Sequence, residues 1–223
     1  MDAGTLSVGK IFGQDRRYVV PLFQRPYVWT REDQLEALWE DVRTVAERLL
    51  SGQATRPHFL GAVVLDQQRN PTGRVETRLV IDGQQRLTTI QILLEAFADV
   101  ARDAGLERLH LALVRLTRNE DPLIDDVEEG FKVWPTNLDR DVFRAVMEAK
   151  SPDEVRARLQ LRITRKRKET GVPIADAFTF FHDAVTEWLG ADKTGIDGRS
   201  DTLYKSIKDY LRLVVIDLGV EDD

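Results

Sequence analysis

Apolar positions at Leu35, Leu38, Trp39, Val42, Ala46 and Leu49 recur at helical spacing and predict an amphipathic helix that ends near Ser51 and Gly52. Thr30 can cap it, with Asp33 three residues later, the spacing of a capping box. A second stripe, Leu87, Ile90, Leu93, Leu94, Phe97 and Val100, predicts a helix from about Arg86 to Asp103. Between the two, "HFLGAVVLDQ" and "VETRLVIDG" are short valine-rich runs on either side of a Pro-Thr-Gly turn, which predicts an antiparallel hairpin. Ahead of the first helix, "TLSVGKIFG" predicts a short helix ending near Gly13. The stretch "RRYVVPLFQRPYVW" predicts a strand, a turn and an extended loop, since Pro21 and Pro26 prevent a continuous helix.

Beyond Gly105 helical periodicity dominates, in "LERLHLALVRLTRN", "LDRDVFRAVMEAK", "PDEVRARLQ" and "VPIADAFTFFHDAVTEWLG". A short extended piece, "FKVWPTN", is stopped by Pro135, and "DTLYKSIKDYLRLVVIDLGVEDD" predicts a helix running into a buried strand. The expected architecture is α/β: a small mixed sheet with packed helices over residues 1–104, then a mostly helical extension over 105–223 whose final strand returns to the first sheet. Trp134 and Trp188 are candidates for the core or for an interface.

Composition narrows the class. With 223 residues, 42% hydrophobic and 31% charged, the chain can bury one sizeable core. No run approaches the roughly 18 apolar residues of a membrane span, and the N-terminus lacks a signal-peptide profile. A cytoplasmic location is the default expectation, with no membrane partner. The absence of cysteine excludes disulfides and thiolate metal sites, and the scattered His58, His110 and His182 lack ligand spacing. A net charge of -6 argues against a uniformly basic nucleic-acid binder. The charge is uneven, however: "EDPLIDDVEEG" is acidic, whereas "RARLQLRITRKRK" carries only positive charge and reads as a solvated face or as a phosphate-contacting patch.

The candidate chemistry lies in "VIDGQQRLTTI", where a strand ends in Asp82-Gly83 and feeds a helix. Such a junction brings unpaired N–H groups and the positive end of the helix to one point, which suits an anion. Gly83 permits positive φ or close approach, Gln84 and Gln85 can donate amide N–H or orient water, and Arg86 can grip phosphate bidentately. Asp82 would repel phosphate unless a divalent cation, most simply Mg²⁺, lies between them. The plainer alternative makes Asp82 a helix cap paired with Arg86. No G-x-x-x-x-G-K-[ST] loop occurs. In "VPLFQRPYVW", Gln24 and Arg25 stand between prolines among Phe23, Tyr27 and Trp29, the mixture that base stacking or a sugar-phosphate requires. Tyr27 and Trp29 can instead plug the base of the sheet.

In that order, "VPLFQRPYVWTREDQLEALWEDV", "HFLGAVVL", "LVIDGQQRLTTIQILLEAF" and "FKVWPTNLDRDVF" resemble landmarks of the bacterial family of GmrSD-type modification-dependent restriction enzymes and SspE-like phosphorothioation-sensing defence proteins. The resemblance implies a ParB/sulfiredoxin-like core and NTP hydrolysis, of GTP by analogy, directed by Asp82, Gln84, Gln85 and Arg86. Gly83, Gln24, Arg25 and His58 would complete the nucleotide site, with Asp82 holding the metal. Phe23, Gln24, Tyr27 and Trp29 would recognise modified DNA, although phenylalanine stands at position 23 where some relatives have tyrosine. The DNA backbone would lie on Arg165, Lys166, Arg167 and Lys168, with Arg16 and Arg17 as further contacts. Relatives carry further helices and an HNH-type nuclease domain, so the chain is expected to serve a downstream nuclease domain or partner subunit as an N-terminal portion that does not itself cut DNA. Two alternatives stay open: a module that binds nucleotide or modified DNA without turnover, and a protein-interaction subunit with a vestigial site.

Overall fold

The computed structural model describes residues 2–69, 74–120, 127–160, 172–191 and 195–219. Its centre is a six-stranded mixed sheet in the order β1-β6-β3-β4-β2-β5. The strands are β1 (Asp2–Ser7), β2 (Arg16–Val19), β3 (His58–Gln67), β4 (Glu76–Asp82), β5 (Val133–Trp134) and β6 (Leu211–Leu218). The predicted hairpin is present, with β3 antiparallel to β4. The closing strand does return: β6 lies parallel to β3 in the middle of the sheet. β2 runs parallel to both β4 and β5, so their carboxyl ends meet at one edge of the fold.

Among the described residues eight α-helices surround the sheet: α1 (Val8–Phe12), α2 (Glu36–Leu50), α3 (Gln84–Asp103), α4 (Glu107–Thr117), α5 (Arg140–Glu148), α6 (Pro152–Gln160), α7 (Pro173–Gly190) and α8 (Ile196–Lys205). Helix α3 is the hub. Gln85 and every residue from Leu87 to Ala101 are buried along it, against α4 and α7 among others. Trp134 and Trp188 both belong to the core.

Two local expectations change. The segment read as a helix from Thr5 splits into β1 and the five-residue α1, whose cap is the Ser7 hydroxyl accepting from Lys10 N–H at 3.3 Å. β1 exists because β6 pairs with it antiparallel, from Asp2 opposite Asp217 to Ser7 opposite Arg212. Its first four side chains are exposed, so no apolar alternation announces it. The second change is at the start of α2, which is preceded by a π-turn over Arg31–Leu35, with Leu35 N–H bonded to Thr30 C=O. Gln34 rather than Asp33 takes the Thr30 backbone N–H, at 3.1 Å, while Asp33 accepts the Thr30 hydroxyl at 3.0 Å.

Candidate functional site

At the carboxyl end of β4 the chain turns through Gly83 and enters α3. Gly83 has φ +95°, and a Cβ there would stand 2.4 Å from Val63 Cγ1, so the junction admits only glycine. The first helical bond is Leu87 N–H to Gly83 C=O at 3.1 Å. The N–H groups of Gln84, Gln85 and Arg86 precede it and lie outside the α3 ladder. A cleft of about 250 Å³ opens at this point, lined by Gln24, Arg25, Trp29, Asp82, Gly83, Gln84, Gln85 and Arg86. The two polar segments singled out in the sequence therefore form one site.

The glutamines join them. Gln84 Nε2 donates to Arg25 C=O at 2.9 Å and lies 3.4 Å from Gln24 Oε1, while Gln24 Nε2 donates to Ile81 C=O at 2.9 Å. Gln85, only 7% exposed, uses both ends of its amide: Nε2 donates to Pro26 C=O at 3.1 Å and Oε1 accepts Val28 N–H at 2.9 Å. Among the described residues Gln84 Oε1 has no hydrogen-bond partner.

Asp82 caps nothing, since Gly83 is the N-cap without a side-chain bond. Asp82, Arg25 and Arg86 form no ion pair with any described residue, so the capped and paired alternative for Asp82 is not adopted. Arg86 Nη1 donates to Ala62 C=O at 3.3 Å. Its guanidinium lies over Gly61, where φ is +102° and an added Cβ would meet Nε, Cζ and Nη2 at 3.1–3.3 Å. Gly61→Ala should lower stability by roughly 1–2 kcal/mol, the cost of a left-handed backbone, and should also weaken inorganic tripolyphosphate binding, measured by calorimetry. Gly52→Ala has a similar φ of +68° with open space around it, and should show the stability loss without the binding loss.

Several expected members stand elsewhere. Tyr27 does not face DNA: it is 5% exposed, and its hydroxyl donates to Thr89 Oγ1 at 2.7 Å, which itself donates to Gln85 C=O at 2.7 Å. Burial, and secondarily the Asp139 carboxylate, push its phenol up. His58 is outside the cleft lining and meets Asp41 Oδ2 at 3.1 Å. Arg16 pairs with Glu76 at 2.9 Å, and Arg17 lies 3.6 Å from Glu128 and against the Trp134 ring. Trp29 lines the cleft, whereas Phe23, 83% exposed, is outside its lining. Arg165, Lys166, Arg167 and Lys168 lie outside the described residues.

One residue escaped the sequence reading. Asp139, 3% exposed at the N-cap of α5, accepts Tyr27 N–H at 2.7 Å and the Thr136 hydroxyl at 3.2 Å. The only local signal is a Thr-x-x-Asp turn after Pro135, and nothing in it reveals that its acceptor is aimed at a loop 112 residues away.

No curated protein matches the chain. The family model of the GmrSD restriction endonuclease N-terminal domain covers residues 8–223, and on that match the chain belongs to this family.

Proposed function

We propose that this domain hydrolyses a nucleoside triphosphate in the Arg25–Arg86 cleft and thereby controls a nuclease domain or partner subunit in defence against foreign DNA. The setting is that of a restriction endonuclease family. The observation that carries the reading is the convergence on a single small cleft of two arginines without ion-pair partners among the described residues, one helix N-terminus and one exposed carboxylate. Phosphoryl transfer needs little more than positioning and charge neutralisation, so such a set is chemically sufficient.

In this reading Arg25 and Arg86 hold phosphate oxygens, and the N–H groups at the start of α3 face the same charge. Gln84 Oε1 accepts a proton of the attacking water. Among the described residues no three acidic or histidine side chains converge into an all-protein metal site. A single carboxylate, with phosphate oxygens and water as the other ligands, suits Mg²⁺, and Asp82 fits that role; the ion would neutralise charge on the phosphates. Modified or foreign DNA would be met by Phe23, Gln24 and Trp29 at the rim of a ParB/sulfiredoxin-like core. A second reading, binding without turnover, draws on Gln85: both ends of its amide are occupied by backbone, so it is not available to orient water.

Phosphate release from ATP, GTP, CTP and UTP with Mg²⁺ tests the proposal, with and without DNA carrying phosphorothioate or modified cytosine. Release by the wild type should fall about 100-fold or more in Arg86→Ala and in Asp82→Ala, the scale of losing one preorganised electrostatic group, and should stop on chelation. Arg86-dependent nucleotide binding without release would favour the module. Neither binding nor release would exclude both readings.

A further inference from the structure

We propose that Gln85 and Asp139 are positioning residues that clamp the Gln24–Trp29 loop between the start of α3 and the start of α5, so that phosphate binding and loop order rise and fall together. The inference rests on the phosphate reading of the cleft. It gives Gln85 a different task from the water-orienting one expected of the motif.

The loop has little backbone support of its own, because Pro26 interrupts it, Pro21 stands just before it and no strand among the described residues pairs with it. Four consecutive residues are held instead by side chains from elsewhere. Arg25 C=O is bonded by Gln84, Pro26 C=O by Gln85, Tyr27 N–H by Asp139 and Val28 N–H by Gln85. Gln85 and Asp139 are both buried, so breaking either bond strands a polar group away from water. Tyr27 locks the same arrangement from below, through Thr89 to the Gln85 carbonyl.

The consequence is a linkage. Arg25 rides on the loop and Arg86 rides on α3, so an anion that spans both must favour the clamped loop over the released one. A ligand shifts such an equilibrium only through that difference, and the effect is reciprocal. Whatever settles on Phe23 or Trp29 and moves the loop therefore alters affinity in the cleft, and Asp139 passes the same displacement to α5.

The test uses inorganic tripolyphosphate as a base-independent probe and single-residue amide exchange by NMR. Without ligand, Gln85→Ala should speed exchange at Val28, and Asp139→Ala at Tyr27, by roughly three- to tenfold, with Leu93 in the α3 core unchanged. Both variants should bind tripolyphosphate weaker by about the same factor, and saturating probe should slow Val28 in the wild type. Gln85→Glu, which keeps the acceptor for Val28 N–H but loses the donor to Pro26, should fall between; Asp139→Asn should recover part of the Tyr27 protection. Unchanged affinity in Gln85→Ala and Asp139→Ala, with the wild type binding normally, would overturn the coupling. Unaltered Val28 and Tyr27 exchange in these variants would overturn the clamp. A wild type that binds no tripolyphosphate would overturn the phosphate reading and the coupling with it, while the ligand-free rates would still decide the clamp.

Discussion

At pH 8, Asp99→Asn should be more stable than the wild type by roughly 2–4 kcal/mol in urea denaturation, and the difference should shrink towards zero near pH 4. Asp99 is 2% exposed near the carboxyl end of the most buried helix. Its Oδ1 accepts from Arg102 Nη1 at 2.6 Å, but Oδ2 is buried with no hydrogen-bond partner among the described residues, and Glu95 lies one turn earlier. Burial, and then the Glu95 charge, push its carboxyl from 3.8 to about 7, against the pull of Arg102. The folded value lies above the unfolded one, so the stability held by the neutral acid is complete below about 3.8 and is lost as pH rises through about 7. Asparagine has no charge to desolvate and keeps the acceptor for Arg102. Arg118, paired with Glu95, and Asp103 also face this cluster, as does His182 from α7. Burial holds the His182 ring below its usual value, which works in the opposite direction on acidification, so the Asp99 effect is read as wild type minus variant. A difference that does not change between pH 4 and 8, or an asparagine variant less stable at pH 8, would remove the buried charge from the account.

That cluster also shows where the sequence stops being informative. Gln91, Glu95 and Asp99 follow one another at four-residue spacing, which on a helical projection is a solvated stripe. They are buried because α4, its C-cap Arg118 and the end of α5 cover them: Gln91 Nε2 donates to Leu116 C=O at 3.0 Å, and Arg118 forks onto both Glu95 oxygens at 2.9 Å while reaching Met147 C=O. Periodicity found α2, α3 and the helices after Gly105 because each buries an apolar stripe, and turn chemistry found the β3–β4 hairpin. It could not find β1, whose only reason to extend is a partner some 200 residues later in the chain. The cleft followed the same division. Asp82 to Arg86 and Gln24-Arg25 were legible because polar groups at a strand-to-helix junction and between prolines have no packing purpose. Which of them keep a side chain free in the cleft was not legible, since Tyr27 points inward and Gln85 is consumed by the loop.

Gly83→Ala should cost about 2–5 kcal/mol, the sum of a left-handed backbone for an L-residue and an overfilled contact, and should abolish phosphate release even where the chain still folds. The two contributions have different sources. At φ +95° alanine is strained whatever its surroundings, and its Cβ would also lie 2.4 Å from Cγ1 and 3.0 Å from Cβ of Val63, a buried residue of β3. Relief requires α3 to move away from β3. That movement would carry the N–H groups at the start of α3 and the Arg86 side chain out of register with Arg25, and the Gln84 and Gln85 side-chain amides away from the loop carbonyls they hold. The double variant Gly83→Ala/Val63→Ala separates the sources. It removes the methyl that collides and leaves the backbone strain, so its destabilisation should be smaller than the sum of the single changes by about 1 kcal/mol or more, as for residues in direct contact. Phosphate release should return in part, because α3 can settle back against the space left at position 63. Strict additivity, or a double variant that regains stability without any release, would mean that the junction supports α3 but does not place the groups of the cleft.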